Sequence, residues 1–165
     1  MVGGEEKAFK NAEPLFKLLA PENGYMYCGP AGSGHFVKMV HNGIEYAMMQ
    51  SYAEGFNVLK SSPYAEDLDF EKVSNLWNQG SVIKSWLLEL LEKAFKEDPE
   101  LEGLNSVVED SGEGRWTVQQ AIDTRVPVPV IAGALFERFS SQDNSIFSRR
   151  VLAALRKEFG GHIVK

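Results

Sequence analysis

Four polar residues recur along the stretch "GHFVKMVHNGIEYAMMQ", residues 34–50: Lys38, His41, Asn42 and Glu45. Their spacing of three, one and three residues is helical. At about 100° per residue it gathers all four within a sector of roughly 100°, rising about 10 Å from Lys38 to Glu45. An amine at one end and a carboxylate at the other are two separate groups able to move protons. The imidazole and the amide between them can hold hydroxyls or a carboxylate by hydrogen bonds. A thin solvated face is the plain alternative, although such faces usually repeat Glu, Lys and Gln. A metal site fits less well, because His41 and Glu45 lie one turn apart and the stripe offers no third good zinc ligand.

The element that must carry this stripe is unusual. Phe36, Val37, Met39, Val40, Ile44, Ala47 and Met48 cover most of the remaining circumference, so the expectation is a buried helix whose one polar stripe faces a cleft. It starts near Gly32 and can run to Ser62, where Pro63 disfavours further helix, a length of about 45 Å. Before it, "EEKAFKNAEPLFKLLA" spaces Phe9, Ala12, Phe16 and Leu19 as a helix, and "GYMYCGP" reads as a short strand. After it, Asp69 can cap "FEKVSNLWNQ", Gly80 breaks that helix, and Ser81 can cap "VIKSWLLELLEKAFKE" with an apolar stripe of Trp86, Leu87, Leu90, Leu91 and Ala94. A loop "DPELEGLNSVVEDSGEGR" leads to "WTVQQAIDTR". Then come "VPVIAGALFERF", entered through Pro127 and Pro129, and "NSIFSRRVLAALRKEF", closed by Gly160 and Gly161. The predicted fold is mainly α, a helical bundle built on one long central helix and preceded by a small helix and strand.

That strand raises a difficulty, since a lone strand at residues 24–28, even with a second at "MVGG", leaves backbone donors and acceptors without a sheet. Either residues 1 to 29 are the tail of an α/β domain that continues upstream, or this is a short irregular N-terminus. Composition narrows the function classes. The 165 residues are 44% apolar and 24% charged, enough for one domain with a core. A net charge of −6 and pI near 5.1 argue against general affinity for nucleic acid or an anionic membrane, while leaving room for a local phosphate pocket. The longest apolar run is about half a membrane span, and no secretory leader is recognisable, so the expected compartment is cytoplasmic. The single cysteine, Cys28, cannot form an internal disulfide and reads as a buried structural residue.

The run "GSGHFVKMVHNGIEY" closely resembles the signature of decarboxylating 6-phosphogluconate dehydrogenases, within the wider β-hydroxyacid dehydrogenase superfamily. The resemblance continues through "GEGRWT", "VPVPVIAGALFERF" and "LRKEFGGH", and so covers essentially the whole chain. "MVGGEEKAF" resembles the end of the family's coenzyme domain. The Gly-rich first turn of a Rossmann unit is absent, and "GPAGSG" has the wrong glycine spacing to replace it. The resemblance therefore implies a C-terminal remnant of the Rossmann domain over residues 1–29 and a helical substrate-binding and dimerisation domain over 30–165, similar to the shorter subfamily. NADP or NAD would be bound mainly by the other domain.

The resemblance also implies roles. The family oxidises the 3-hydroxyl of 6-phosphogluconate by hydride transfer, and the resulting β-keto acid loses carbon dioxide to leave an enediol that must be protonated, giving ribulose 5-phosphate in the pentose phosphate pathway. Lys38 matches the catalytic lysine, a base toward the hydroxyl that needs burial to be neutral near pH 7 and then an acid toward the keto oxygen. Glu45 matches the acid that protonates the enediol. His41 and Asn42 match the residues that orient the substrate, with Asn42 also approaching the nicotinamide. Tyr46, Arg138, Arg156 and His162 match the phosphate-binding positions, Arg being suited by its planar fork. The C-terminal Arg and His of the family reach into the neighbouring subunit, which implies a homodimer with shared sites.

One departure stands out. The long enzymes carry a phosphate-binding lysine before a Gly-Thr-Gly-Lys-Trp turn, and here Ser111 stands there in "DSGEGRW". Arg115 could compensate, or the substrate could be a related sugar acid. The alternative from a different class is an independent helical ligand-binding or oligomerisation module that kept the stripe.

Overall fold

A computed structural model describes residues 1–143 and 147–160 of the chain. The strand expected near residue 25 is not alone. Strand β1 (Val2–Gly3) runs parallel to β2 (Tyr27–Gly29), with Val2 N donating to Met26 O and Gly4 N to Gly29 O, both at 3.0 Å. Helix α1 (Glu6–Leu19) makes the crossover and lays Phe9 and Phe16 against Tyr25 and Tyr27, with ring centroids 5.1–6.4 Å apart. Two strands of two and three residues are too little to stand alone. They are anchored instead on the head of the long helix, where the backbones of Gly3 and Gly34 touch. A Cβ on Gly34 would lie 2.8 Å from Gly3 N, so neither position has room for a side chain.

Helix α2 (Ser33–Lys60) is the predicted long helix, 28 residues and about 42 Å from end to end. It is followed by a 3₁₀ turn (Ala65–Asp67), α3 (Phe70–Asn78), α4 (Trp86–Glu97), α5 (Glu113–Thr124), α6 (Pro129–Gln142) and α7 (Phe147–Gly160). Asp69 caps α3 as expected, its Oδ1 accepting from Lys72 N at 3.1 Å. The start of α4 differs. Ser81 is spent on the end of α3, donating to Trp77 O at 2.6 Å and accepting from Ile83 N. The cap is therefore Ser85, whose Oγ accepts from Leu88 N at 3.1 Å. The rotation this sets turns Leu88 and Phe95 inward, while Trp86 and Leu90 of the predicted apolar stripe stay exposed.

The described core has two centres strung along α2. Tyr46 packs with Ala134 and Leu135 of α6, backed by Val118 and Phe139. Farther along, Phe56 packs with Leu88 and Phe95, and Phe70, Trp77 and Leu91 close around them. Gly43 and Gly114 let α5 lie close on α2: a Cβ on Gly43 would meet Thr117 Cγ2 at 2.8 Å, and one on Gly114 the Tyr46 ring at 2.5 Å.

The expectation of a buried α2 is corrected for its first half. Phe36, Val37, Ile44 and Met48 are exposed, because α5 and α6 cover only the opposite side of the helix and on this side the start of α4 leaves an open groove. Helix α7 likewise leaves Phe147, Leu152 and Leu155 exposed. No helix among the described residues is long and apolar enough to cross a membrane.

Candidate active site

Helix α2 brings Lys38, His41, Asn42 and Glu45 to one face, as their spacing predicted, and His41 Nδ1 is their meeting point. It lies 3.2 Å from Lys38 Nζ, 2.9 Å from Asn42 Oδ1 and 3.9 Å from Glu45 Oε2. Two proton arrangements fit this geometry. A bare Nδ1 accepts from the Lys38 ammonium. A protonated Nδ1 donates to Asn42 Oδ1 and leaves Lys38 free to carry a lone pair. The stripe is open, with Lys38 and His41 exposed and Asn42 and Glu45 half-buried, so the burial expected for Lys38 is not supplied by the described residues. Beside it runs an apolar groove of about 760 Å³, walled by Val37, Val40, Ile44 and Met48 of α2 and by Trp86 and Leu90 of α4.

A second set of predicted residues meets at Tyr46, the residue after Glu45. The Arg138 guanidinium lies flat over the Tyr46 ring, its Cζ 3.7 Å from the centroid, and Arg138 Nη1 donates to Glu109 O at 2.8 Å. The buried Tyr46 directs its hydroxyl into the turn before α5. There it donates to Asp110 Oδ1 at 3.2 Å, lies 3.0 Å from Ser111 Oγ and accepts from Ser111 N at 3.0 Å. Arg115, the proposed substitute for the missing lysine, is engaged by Asp110, with Nη2 2.7 Å from Oδ2, and leans on the Phe139 ring.

Asp110 and Glu113 at this end are not among the expected site residues, although Glu113 lies within "GEGRWT". The Asp110 side chain is only 3% exposed and accepts from Tyr46, Gly112 N and Arg115 together. Burial pushes its carboxyl up. The Gly112 N–H, the bond and charge of Arg115 and the Tyr46 hydroxyl outweigh that and hold it below the usual carboxylate range. Glu113 opens α5 and accepts from Ser111 Oγ at 2.5 Å. That bond first, and its own backbone N–H next, hold its carboxyl low, and the Lys38 charge pulls the same way against burial and Asp110. The only available sign was a pair of acids, "DSGE", in a turn expected to meet phosphate.

Arg156 lies exposed on α7, with no hydrogen bond or ion pair to Tyr46 or Arg138 among the described residues. His162 falls outside the described residues. Cys28 is half-buried in β2 rather than buried, its Sγ 3.8 Å from Met26 O, because the short sheet has little to cover it. No cluster of three or more His, Cys, Asp or Glu suited to a metal occurs among the described residues.

Comparison with known proteins gives this geometry a lineage. The family profile described as 6-phosphogluconate dehydrogenase, C-terminal domain, matches residues 34–161. YqeC of Bacillus subtilis, named for the 6-phosphogluconate dehydrogenases, is 52% identical over 98% of this chain and 54% of its own length. The NAD(+)-dependent, decarboxylating 6-phosphogluconate dehydrogenase of Haloferax volcanii is 48% identical over 99% of this chain and 55% of its own. The chain thus spans about half the length of these relatives. The structure of Plasmodium falciparum 6-phosphogluconate dehydrogenase, determined apo, with its cofactor NADP+ and with its substrate 6-phosphogluconate, superposes with a TM-score of 0.73 at 27% identity, covering 99% of this chain and 36% of that one. The chain belongs to the 6-phosphogluconate dehydrogenase family, whose C-terminal domain it carries.

Proposed function

We propose that this chain is the substrate-binding and dimerisation part of a cytoplasmic, decarboxylating 6-phosphogluconate dehydrogenase, with residues 1–29 the end of its coenzyme domain and 30–165 its helical domain. The observation that carries this is the Lys38–His41–Asn42–Glu45 stripe on one face of α2, in a chain of this family. Lys38 takes the proton of the substrate's 3-hydroxyl. A neutral Lys38 amine fits either arrangement of His41, since it can donate an N–H to a bare Nδ1 and keep its lone pair, and burial of the open stripe by substrate and a covering domain would favour that amine. Once the carboxylate has left as carbon dioxide, Lys38 returns a proton to the oxygen. Glu45, two turns along, delivers one to the far carbon of the enediol. Because base and acid are held apart on one rigid helix, neither has to change place.

NAD or NADP, the cofactors named for the relatives, would supply the hydride acceptor. The part of this chain that fits such a group is the apolar groove beside the stripe together with Asn42. The amide nitrogen of Asn42 has no partner among the described residues and is available to a carboxamide. Tyr46 and Arg138 form the end of the site that receives the substrate's phosphate, and Arg156 and His162 would complete it from the second subunit of a homodimer. The exposed Phe147, Leu152 and Leu155 face of α7 supports that exchange, since an apolar helix face of this kind is covered in an assembled protein.

The test is nicotinamide reduction with 6-phosphogluconate by the full-length protein and by Lys38→Met. A decrease of about 10³-fold in kcat is expected when the base is removed. Wild-type turnover in the variant would refute the lysine's role. Substrate affinity unchanged in both Arg138→Ala and Arg156→Ala would refute the phosphate assignment.

A further inference from the structure

We infer that Glu113 is a specificity-determining residue which makes the terminal end of the substrate site demand a hydroxyl donor: a singly protonated phosphate ester or a plain terminal alcohol, in preference to a dianionic phosphate. The inference rests on the reading of the Tyr46–Arg138 end as the terminal-group end of the site.

Each hydroxyl at this end has one proton to give. Ser111 gives its proton to Glu113 Oε2 at 2.5 Å. Tyr46 then has only Asp110 Oδ1 or the lone pair of Ser111 Oγ as a target, and in either case its proton is committed as well. The Ser111 N–H is taken by the Tyr46 oxygen and the Gly112 N–H by Asp110. Arg115 is bound to Asp110 through both Nε and Nη2, and Arg138 donates from Nη1 to Glu109 O and from Nη2 to Met49 Sδ. A fully ionised phosphate has only acceptors to offer. It would find no free hydroxyl donor here and would meet the Glu113 carboxylate beside it. A terminal O–H, by contrast, finds Glu113 as a ready acceptor. The formal charges facing this end are Asp110, Glu113, Arg115 and Arg138, which cancel, with Lys38 on the α2 side.

The experiment compares KM for gluconate with KM for 6-phosphogluconate in the full-length protein from pH 6 to pH 8, substituting the inhibition constant where gluconate is not turned over. Ionisations of the enzyme that affect both substrates alike, Lys38 included, cancel in this ratio. The second proton of a phosphate ester leaves near pH 6, so the wild-type preference for 6-phosphogluconate should weaken roughly tenfold across that range. Glu113→Thr, which replaces the carboxylate by a hydroxyl donor, should flatten the profile and raise the preference at pH 8 by about tenfold. Glu113→Gln, which swaps an acceptor for a donor at constant size, should do the same, so that a folding defect in one variant leaves the other to decide. A wild-type ratio that does not change with pH, or a profile unaltered in both variants, overturns the inference. Arg138→Ala separates the two levels. If it lowers the ratio while the Glu113 variants change nothing, only Glu113 is misassigned. If Arg138→Ala leaves the ratio untouched, the terminal-group reading of this end fails first.

Discussion

The two halves of α2 have similar apolar content and different partners. In its second half, from Tyr52 to Leu59, α3 and α4 enclose one side, with Phe56 at 6% exposure among Phe70, Trp77, Leu88 and Phe95, while Val58 on another side is exposed. Its first half, from Phe36 to Met48, has α5 and α6 on one side only, and Ile44 is 50% exposed on the other. The difference lies in what packs against the helix. Glycines at 43 and 114 bring α5 close on the inner side, while the outer side keeps an apolar groove next to four polar groups. Each half buries one aromatic anchor in the described core, Tyr46 in the first and Phe56 in the second, and the first also carries an open face with four polar groups on it.

The comparison can be broken by substitution. The largest effect expected is the roughly 10³-fold loss of kcat in Lys38→Met, with the folding of the variant unchanged by circular dichroism, since Lys38 is exposed. In the enclosed half, Leu88→Ala should cost about 2–5 kcal/mol of unfolding free energy in urea, because Leu88 is wholly buried and leaves a cavity. Gly114→Ala should cost about 1–3 kcal/mol, as its methyl meets the Tyr46 ring, and should displace Tyr46 fluorescence or NMR signals where Gly55→Ala does not.

Asp110→Asn should cost about 1–3 kcal/mol at neutral pH, since a buried carboxylate with several donors is replaced by a weaker acceptor. Its pH dependence has a definite sign. The folded carboxyl titrates below the unfolded value of about 3.9, so its contribution is complete above that value and disappears as pH falls through the folded one. Asp110→Asn should therefore lose part of the acid-limb slope of the wild-type stability curve. The smallest effect belongs to Ile44→Ala, within about 0.5 kcal/mol in dilute chain. A cost equal to that of Leu88→Ala would erase the distinction between the halves.

Much of this was legible in the chain. The length of α2 followed from Gly32 and Pro63, the convergence of Lys38, His41, Asn42 and Glu45 from helical spacing, and the Asp69 cap from residue type. The start of α4 was misread because two serines, 81 and 85, have equal capping chemistry. What chose between them was the carbonyl of Trp77 and the amide oxygen of Asn78, which receives Ser85 N at 3.0 Å. The pairing of β1 with β2 was open in sequence, as strands this short carry almost no periodicity.

By itself the sequence determined the helical register: which side chains share a face of α2, since 100° per residue is a property of the backbone alone. It also carried the family, through the run around Lys38. Only the tertiary structure decided which face is covered and where each proton goes. Burial depends on the elements that pack against a helix, and a hydroxyl's single proton is assigned by its nearest acceptors. Hence Tyr46, Ser111, Asp110 and Glu113, up to 67 residues apart along the chain, became one hydrogen-bonded unit only when α5 came to rest on α2.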